Sequence, residues 1–282
     1  MKQALIAILV LLVLGFIAAA VYVVGFMDNG EEDGDTAPVG AAQDETNGTG
    51  ESLRRVETEA DLLDALDAAT ERNQDTVGWL RVPGTKINNC VLQSHDNEAY
   101  LRTNEKREYD LYGCYFVDYE CFVGERDILS PNTIIYGHSD MTDNPEGKRF
   151  SQLFHFKDEE FAKNTPVVTF STMGNTMQWQ VFAVFFTDVD FNYIEAEPAD
   201  GVQVLAKAAM EKSLYDYGVT VGKEDKILTL STCSGKNGMN DRTQRFVVMA
   251  KLMPEDFTAP KTADLSVRES GTEAIAEESP AE

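Results

Sequence analysis

A thiol stands where a predicted strand opens into a loop. Residues 227–230 are apolar or β-branched, which predicts a buried strand, and this strand ends on Cys233, directly before a loop that contains Gly235. A cysteine thiolate attacks a carbonyl carbon when a cation or a base lies close to it. Cys233 is therefore the candidate nucleophile, although a lone strand cysteine is more often a small core residue.

Two more polar side chains stand at predicted strand ends. His138 follows the predicted strand 133–136 and precedes an open polar loop, as expected of a general acid and base. Arg245 lies at the start of the predicted strand 244–252, where a rigidly held guanidinium could stabilise an oxyanion or a substrate backbone. Arg242 is an alternative candidate for this guanidinium role, but strand pairing would hold Arg245 more rigidly. The set predicts cysteine-based acyl transfer.

The other histidines fit this role less well. His95 lies in a polar loop, and His155 lies in an apolar segment where packing is the simpler interpretation. A metal site built from His138, Asp140 and His155 would lack tight ligand spacing. We therefore expect no metal and no other cofactor.

The acidity of the chain is concentrated in its flanks. The net charge of the 282 residues is −24, and residues 28–59 and 255–282 carry ten and eight acidic residues against two basic residues each. Such segments predict solvated, disordered spacers. A strongly acidic protein is not expected to bind nucleic acid or anionic lipid.

The first 50 residues predict a membrane tether. Residues 4–26 are uncharged and mostly aliphatic, long enough to span roughly 30 Å of hydrocarbon. Lys2 in the stub 1–3 places that end in the cytoplasm, and the acidic segment 27–50 predicts a disordered linker outside the cell. The competing interpretation is a cleaved signal peptide with a cleavage site at residues 18–20.

The remaining cysteines have no Cys-x-x-Cys spacing, which argues against a thioredoxin-like or zinc-ribbon site. Cys114 could pair with Cys121 across a turn, or with Cys90 on a neighbouring strand. Free buried thiols remain the default for all three.

One folded domain is predicted over residues 51–254, followed by a disordered acidic tail over 255–282. Amphipathic spacing predicts an N-terminal helix over 51–73 and a long helix over 198–217, with short helical pieces over 150–162. Eight short strands between turn signals favour a mainly β fold, either a closed barrel or a sandwich. The predicted strands are 77–82, 87–93, 113–118, 133–136, 166–171, 177–187, 226–232 and 244–252.

Taken together, these segments resemble the class B sortases over about residues 73–252. The long helix before the cysteine strand is the insert that distinguishes class B members. The matching motifs are Asp75-Thr76-Val77-Gly78-Trp79-Leu80, Ile135-Tyr136-Gly137-His138, Thr229-Leu230-Ser231-Thr232-Cys233 and Arg245-Phe246-Val247-Val248.

The resemblance implies an eight-stranded sortase-like β-barrel and a membrane-anchored cysteine transpeptidase with its catalytic domain outside the cell. Cys233 would attack a C-terminal sorting signal of a secreted protein and form a thioacyl enzyme. An amine of a peptidoglycan precursor or a pilin lysine would resolve that intermediate. His138 would transfer protons, and Arg245 would stabilise the oxyanion. The residues implied to bind the peptide are Leu92, Tyr193, Ile194 and Ser231.

Two departures from the family pattern stand out. Asn88-Asn89-Cys90 replaces a frequent Tyr-Pro pair, and Gly235 stands where some members carry an acidic residue two positions after the cysteine. A Cys–His–Arg set is therefore expected rather than an aspartate-assisted triad. A secreted cysteine peptidase is the alternative enzyme, and a non-enzymatic surface β-domain is the alternative outside catalysis.

Overall fold

Eight strands close into a barrel in the computed structural model of this chain, which describes residues 59–173 and 175–268. The strands are β1 (Thr76–Arg81), β2 (Asn88–Gln93), β3 (Tyr115–Val117), β4 (Asn132–Tyr136), β5 (Val167–Ser171), β6 (Gln178–Thr187), β8 (Ile227–Cys233) and β9 (Arg245–Leu252). Their order around the barrel is β1-β2-β3-β4-β8-β9-β6-β5.

The sequence-based fold class is confirmed. Each of the eight predicted strands is present, with both ends within two residues of the predicted bounds. All pairings in the barrel are antiparallel except β2 with β3 and β4 with β8. The parallel β4–β8 pair matters most here, because it carries the histidine and cysteine strands side by side.

The first described helix, α1 (Glu59–Arg72), covers one side of the barrel. Its buried Leu62, Leu66 and Ala69 pack with Trp79 and Leu92 of the barrel. These helix positions recur at spacings of four and three, which defines one apolar face. The helix was predicted over 51–73, and residues 51–58 of that prediction lie outside the described residues.

The helix before the cysteine strand, α3 (Val202–Lys212), is shorter than the predicted helix over 198–217. Gly201, with φ of 85°, precedes its first turn, and Ser213 is already extended. The hydroxyl of Ser213 accepts a hydrogen bond of 3.0 Å from the backbone N–H of Val184 on β6. Barrel contacts therefore end the helix before the apolar pattern does.

The segments around this helix complete the domain. The helical pieces predicted over 150–162 are present as a 3-10 helix (Arg149–Lys157) and α2 (Glu159–Asn164). The short strand β7 (Tyr215–Asp216) pairs with β10 (Ser266–Val267). Residues 255–268, assigned from sequence to the disordered tail, thus include a paired strand and the buried Ala263, while residues 269–282 lie outside the described residues.

Alternating side chains divide the core between two faces of β8 and β9. Leu228, Leu230 and Phe246 point into the barrel interior, whereas Ile227 and Val247 pack in the cluster beneath α3. Because successive strand side chains point to opposite faces, Cys233 and Arg245 belong to the outer face with Ile227 and Val247. Full burial of each large apolar side chain contributes roughly 1.5–3 kcal/mol to stability.

Within residues 59–173 and 175–268, no helix combines the length and the apolar character that crossing a bilayer would require. The predicted span 4–26 and the predicted linker 27–50 both lie outside the described residues.

Candidate active site

The parallel pairing of β4 with β8 brings His138 and Cys233 to the same end of the barrel. Tyr136 pairs with Ser231, and both His138 and Cys233 lie two residues further along their chains. Two hydrogen bonds then hold the segments together. The Thr232 hydroxyl donates to the carbonyl of Gly137 at 2.7 Å, and the Ser139 hydroxyl donates to the carbonyl of Cys233 at 2.5 Å.

Arg245 lies directly opposite Cys233 in the antiparallel β8–β9 pair. Its Nη1 donates to the carbonyls of Arg242 at 2.8 Å and Gln244 at 2.9 Å. Within the described residues its hydrogen bonds both use Nη1, so Nη2 and Nε can serve a bound carbonyl or oxyanion. The side chain of Arg242 is exposed and does not line the site. The geometry favours Arg245 over Arg242, as the sequence suggested.

These three residues share one cavity of about 330 Å³. Predicted peptide-binding residues Tyr193, Ile194 and Ser231 also line it. The wall is mostly apolar, which suits an extended peptide with apolar side chains. The other lining residues are Asn97, Leu101, Phe116, Tyr136, Gly137, Val189, Phe191, Asn192 and Thr232.

The imidazole of His138 is bound through Nε2, which lies 2.8 Å from the carbonyl oxygen of Leu101. A carbonyl only accepts hydrogen bonds, so Nε2 carries a proton and Nδ1 is the nitrogen that can accept one. Burial lowers the pKa of His138, against the opposing effect of the Leu101 bond, and the charges of Arg102 and Arg149 lower it further. The neutral ring is therefore favoured, and it can act as a base.

Tyr193 and Ser231 form a buried pair in the cavity wall, with 2.8 Å between the two hydroxyl oxygens. Burial raises the pKa of the Tyr193 phenol, so it stays protonated and can donate. The Asn132 side chain also donates to the carbonyl of Tyr193 at 3.0 Å. Ile194 is 44% exposed and offers an apolar surface at the cavity edge.

Leu92 is the one proposed peptide-binding residue that the structure does not bring to the cavity. Its side chain is fully buried and packs in the cluster that contains Trp79 and Phe116. A side chain without exposed surface cannot contact a bound peptide unless the core opens. Leu92 is thus corrected to a core position, beside the cavity-lining Phe116.

Sequence reasoning missed two lining residues from the loop between β2 and β3, Asn97 and Leu101. The side chain of Asn97 donates to Asp118 Oδ2 at 2.8 Å. The Tyr136 hydroxyl donates to the same oxygen at 2.8 Å. The buried Asp118 therefore orients one amide and one phenol at the cavity. The loop sequence alone carried no signal for this, because the contacts span about twenty residues of chain.

The segment after Cys233 is held by an aspartate from the histidine loop. Asp143 accepts hydrogen bonds from the Ser234 hydroxyl at 2.6 Å and from the backbone N–H of Gly235 at 2.8 Å. A Cβ at Gly235 would lie 1.9 Å from the carbonyl oxygen of Met141, so only glycine fits there. Asp143 therefore holds the segment that directly follows Cys233.

All four cysteines are free, and three of them are buried. Burial raises the pKa of Cys90 and Cys121 to about 12 and raises that of Cys114 as well. These thiols are protonated near neutral pH and are poor nucleophiles. Cys233 is half-buried and lines the cavity, so it is the thiol placed for reaction.

Comparison with known proteins places this arrangement in a family. A family model described as the sortase domain matches residues 80–253. The chain is 35% identical to sortase B of Listeria monocytogenes over 196 residues, which cover 68% of this chain and 76% of the relative.

Two solved structures of sortase B are similar to this chain. A sortase B–substrate complex of Staphylococcus aureus superimposes with a TM-score of 0.59 at 29% identity, covering 69% of this chain and 87% of that one. A sortase B complexed with triglycine gives a TM-score of 0.60 at 29% identity, covering 69% and 88%. This chain therefore belongs to the sortase family of cysteine transpeptidases, in its class B branch.

Proposed function

We propose that this transpeptidase cleaves a C-terminal sorting signal of secreted proteins and transfers the acyl group to an amine of a cell-wall precursor or a pilin lysine. The observation that carries the proposal is the joint placement of Cys233, His138 and Arg245 around one apolar cavity. Similar proteins with a bound substrate and with bound triglycine support a peptide acyl donor and an amine acceptor.

In the first step, Cys233 attacks the scissile carbonyl of the peptide. The neutral His138 accepts the thiol proton at Nδ1 and then gives it to the leaving amine as the C–N bond breaks. Arg245 donates to the oxygen on which negative charge develops. The products are a thioester on Cys233 and the released C-terminal fragment.

In the second step, the acceptor amine attacks the thioester. His138 takes a proton from the amine as the new C–N bond forms and gives it to the sulfur of Cys233 as the C–S bond breaks, which restores the thiol and the neutral imidazole.

The domain is proposed to act outside the cell, tethered by the N-terminal segment 4–26. The uncharged run after Lys2 and the acidic flank beyond it support this orientation. Protease added to intact cells should remove the folded domain. Protection of the domain until the cells are lysed would contradict the placement.

Trapping the acyl enzyme tests the proposed chemistry. Full-length protein is incubated with sorting-signal peptides in the absence of an amine and analysed by intact mass spectrometry. We expect an acyl adduct that maps to Cys233 and is absent in Cys233→Ala. An adduct on another residue, or peptide cleavage by Cys233→Ala, would contradict the proposal.

A further inference from the structure

Arg102 lies beside His138 in a contact that the proposed mechanism has not used. Its Nη1 is 3.4 Å from Nε2 of the imidazole, which also lies 2.8 Å from the carbonyl oxygen of Leu101. The two neighbours favour opposite protonation states of Nε2. A carbonyl requires a proton there, whereas a guanidinium could only donate to a bare nitrogen.

The two distances from Nε2 show which protonation state is favoured. The Leu101 contact has the length of an ordinary N–H···O bond, and the Arg102 contact is longer than the usual range. Were Nε2 bare, its lone pair would face the Leu101 oxygen at 2.8 Å, an unfavourable contact between two acceptors. Nε2 is therefore protonated, and Arg102 acts on His138 through its charge.

The loop fixes that charge in place. The Nη1 of Arg102 also donates to the carbonyl of Leu111 across the loop. Gly113 closes the loop with φ of 52°, where a Cβ would lie 2.1 Å from the carbonyl oxygen of Tyr100. The conformation that presents Leu101 and Arg102 to the imidazole thus depends on a glycine.

Other charged groups around His138 do not replace Arg102. Arg149, at the start of the 3-10 helix, also disfavours a second proton, but it is paired with Glu105 at 3.2 Å between Nη2 and Oε2. Asp110 of the β2–β3 loop acts in the opposite sense. On its other side, His138 lines the same cavity as Cys233 and Arg245. Arg102 is the cation within 3.4 Å of the ring among the described residues.

We propose that Arg102 is a positioning residue whose charge keeps His138 neutral, while the Leu101 carbonyl holds the remaining proton on Nε2 and so leaves Nδ1 for proton transfer. A neutral ring can accept the thiol proton of Cys233 and the proton of the acceptor amine. The inference rests on the acid–base role proposed for His138. The protonation state of the ring, which this inference concerns, can be measured without an enzyme assay.

Nitrogen-15 NMR of the full-length protein labelled at histidine is the direct test. The chain has three histidines, so His138→Ala assigns the signal, and His95 and His155 serve as internal references. Arg102→Gln removes the charge while keeping an amide donor for Leu111, and Arg102→Lys keeps the charge. The matched control is Lys106→Ala, which removes an exposed cation from the same loop.

We expect neutral His138 to show a protonated Nε2 and a bare Nδ1. Its titration should move to higher pH in Arg102→Gln, move less in Arg102→Lys and stay in place in Lys106→Ala. Equal titration in the wild-type protein and Arg102→Gln, or a proton on Nδ1 in the neutral ring, would overturn the proposal.

The pH dependence of kcat/KM separates this claim from the proposed function. If Arg102 and His138 act as described, the acid limb of the profile moves to higher pH in Arg102→Gln together with the NMR titration. A moved NMR titration with an unmoved acid limb supports the role of Arg102 and contradicts the acid–base role of His138.

Discussion

The carboxylate of Asp143 accepts a hydrogen bond of 2.6 Å from the hydroxyl of Ser234, which links the loop after His138 to the loop after Cys233. A second bond joins the same carboxylate to the backbone N–H of Gly235 at 2.8 Å. One buried side chain therefore joins the loops that follow both strand ends. It adds to the hydrogen bonds that Thr232 and Ser139 make between the same segments.

Asp143→Ala should lower both stability and activity. The Ser234 hydroxyl is fully buried, and the substitution leaves it and the Gly235 N–H without their acceptor. Each unsatisfied buried donor costs about 1–3 kcal/mol. We expect a loss of about 2–4 kcal/mol in the free energy of unfolding. Urea unfolding measures it.

Glu160→Ala is the control for this loss, because Glu160 is an exposed carboxylate on α2. Its free energy of unfolding should change by less than about 0.5 kcal/mol. Equal stability of Asp143→Ala and Glu160→Ala would mean that Asp143 does not hold the two loops together.

Alanine substitutions at Cys233, His138 and Arg245 should remove acyl transfer while leaving cooperative unfolding. Loss of the acid and base removes a contribution of about 10²–10⁴-fold, and loss of an oxyanion donor removes about 10²–10³-fold. The rate of amide-product formation from a sorting peptide and an amine measures these effects.

Arg242→Ala is the matched control for Arg245→Ala. It removes an exposed guanidinium three residues away but keeps the backbone carbonyl that accepts a hydrogen bond from Arg245. Its activity should stay close to that of the wild-type protein. A severe loss in Arg242→Ala with a mild loss in Arg245→Ala would reverse the assignment of the guanidinium.

Thiol alkylation of the folded protein at about pH 7 should modify Cys233 alone. Burial raises the pKa of Cys90 and Cys121 to about 12 and raises that of Cys114, so these groups stay protonated until strongly alkaline pH. The thiolate is the reactive form. Mass spectrometry should show one added label, and none in Cys233→Ala. Labelling of Cys90 or Cys114 at a similar rate would show that the barrel opens beside them.

The strands could be predicted from sequence because they are short apolar or β-branched runs that end at turn residues, and the resemblance to the sortases favoured a closed barrel over a sandwich. The C-terminal end of the helix before the cysteine strand could not be predicted. The apolar pattern of residues 198–217 continues past Lys212, but Ser213 leaves the helix to bond with β6, and Tyr215 pairs with β10. These are contacts with residues far along the chain, and no local pattern encodes them.

In the candidate site, too, local patterns could be predicted and contacts between distant residues could not. Cys233, His138 and Arg245 stand at strand ends, where the local pattern indicates them directly. Leu92 was placed in the peptide groove by resemblance, whereas the pleat turns it into the core.

Residues that act across loops were not predicted. Asn97 and Asp143 reach the site through contacts with Asp118 and Ser234 that are 21 and 91 residues distant in sequence. Polar loop residues of this kind have no periodicity, so only the closed barrel shows which of them meet.

The partition of the acyl enzyme between an amine and water tests the central claim most directly. Full-length protein is incubated with a sorting-signal peptide and increasing concentrations of triglycine, and the products are separated by mass spectrometry. A transpeptidase must hold the thioester of Cys233 until an amine arrives, so the amide product should rise with triglycine while the free acid falls. Rapid cleavage that yields only free acid at high triglycine would contradict the account and identify a cysteine hydrolase.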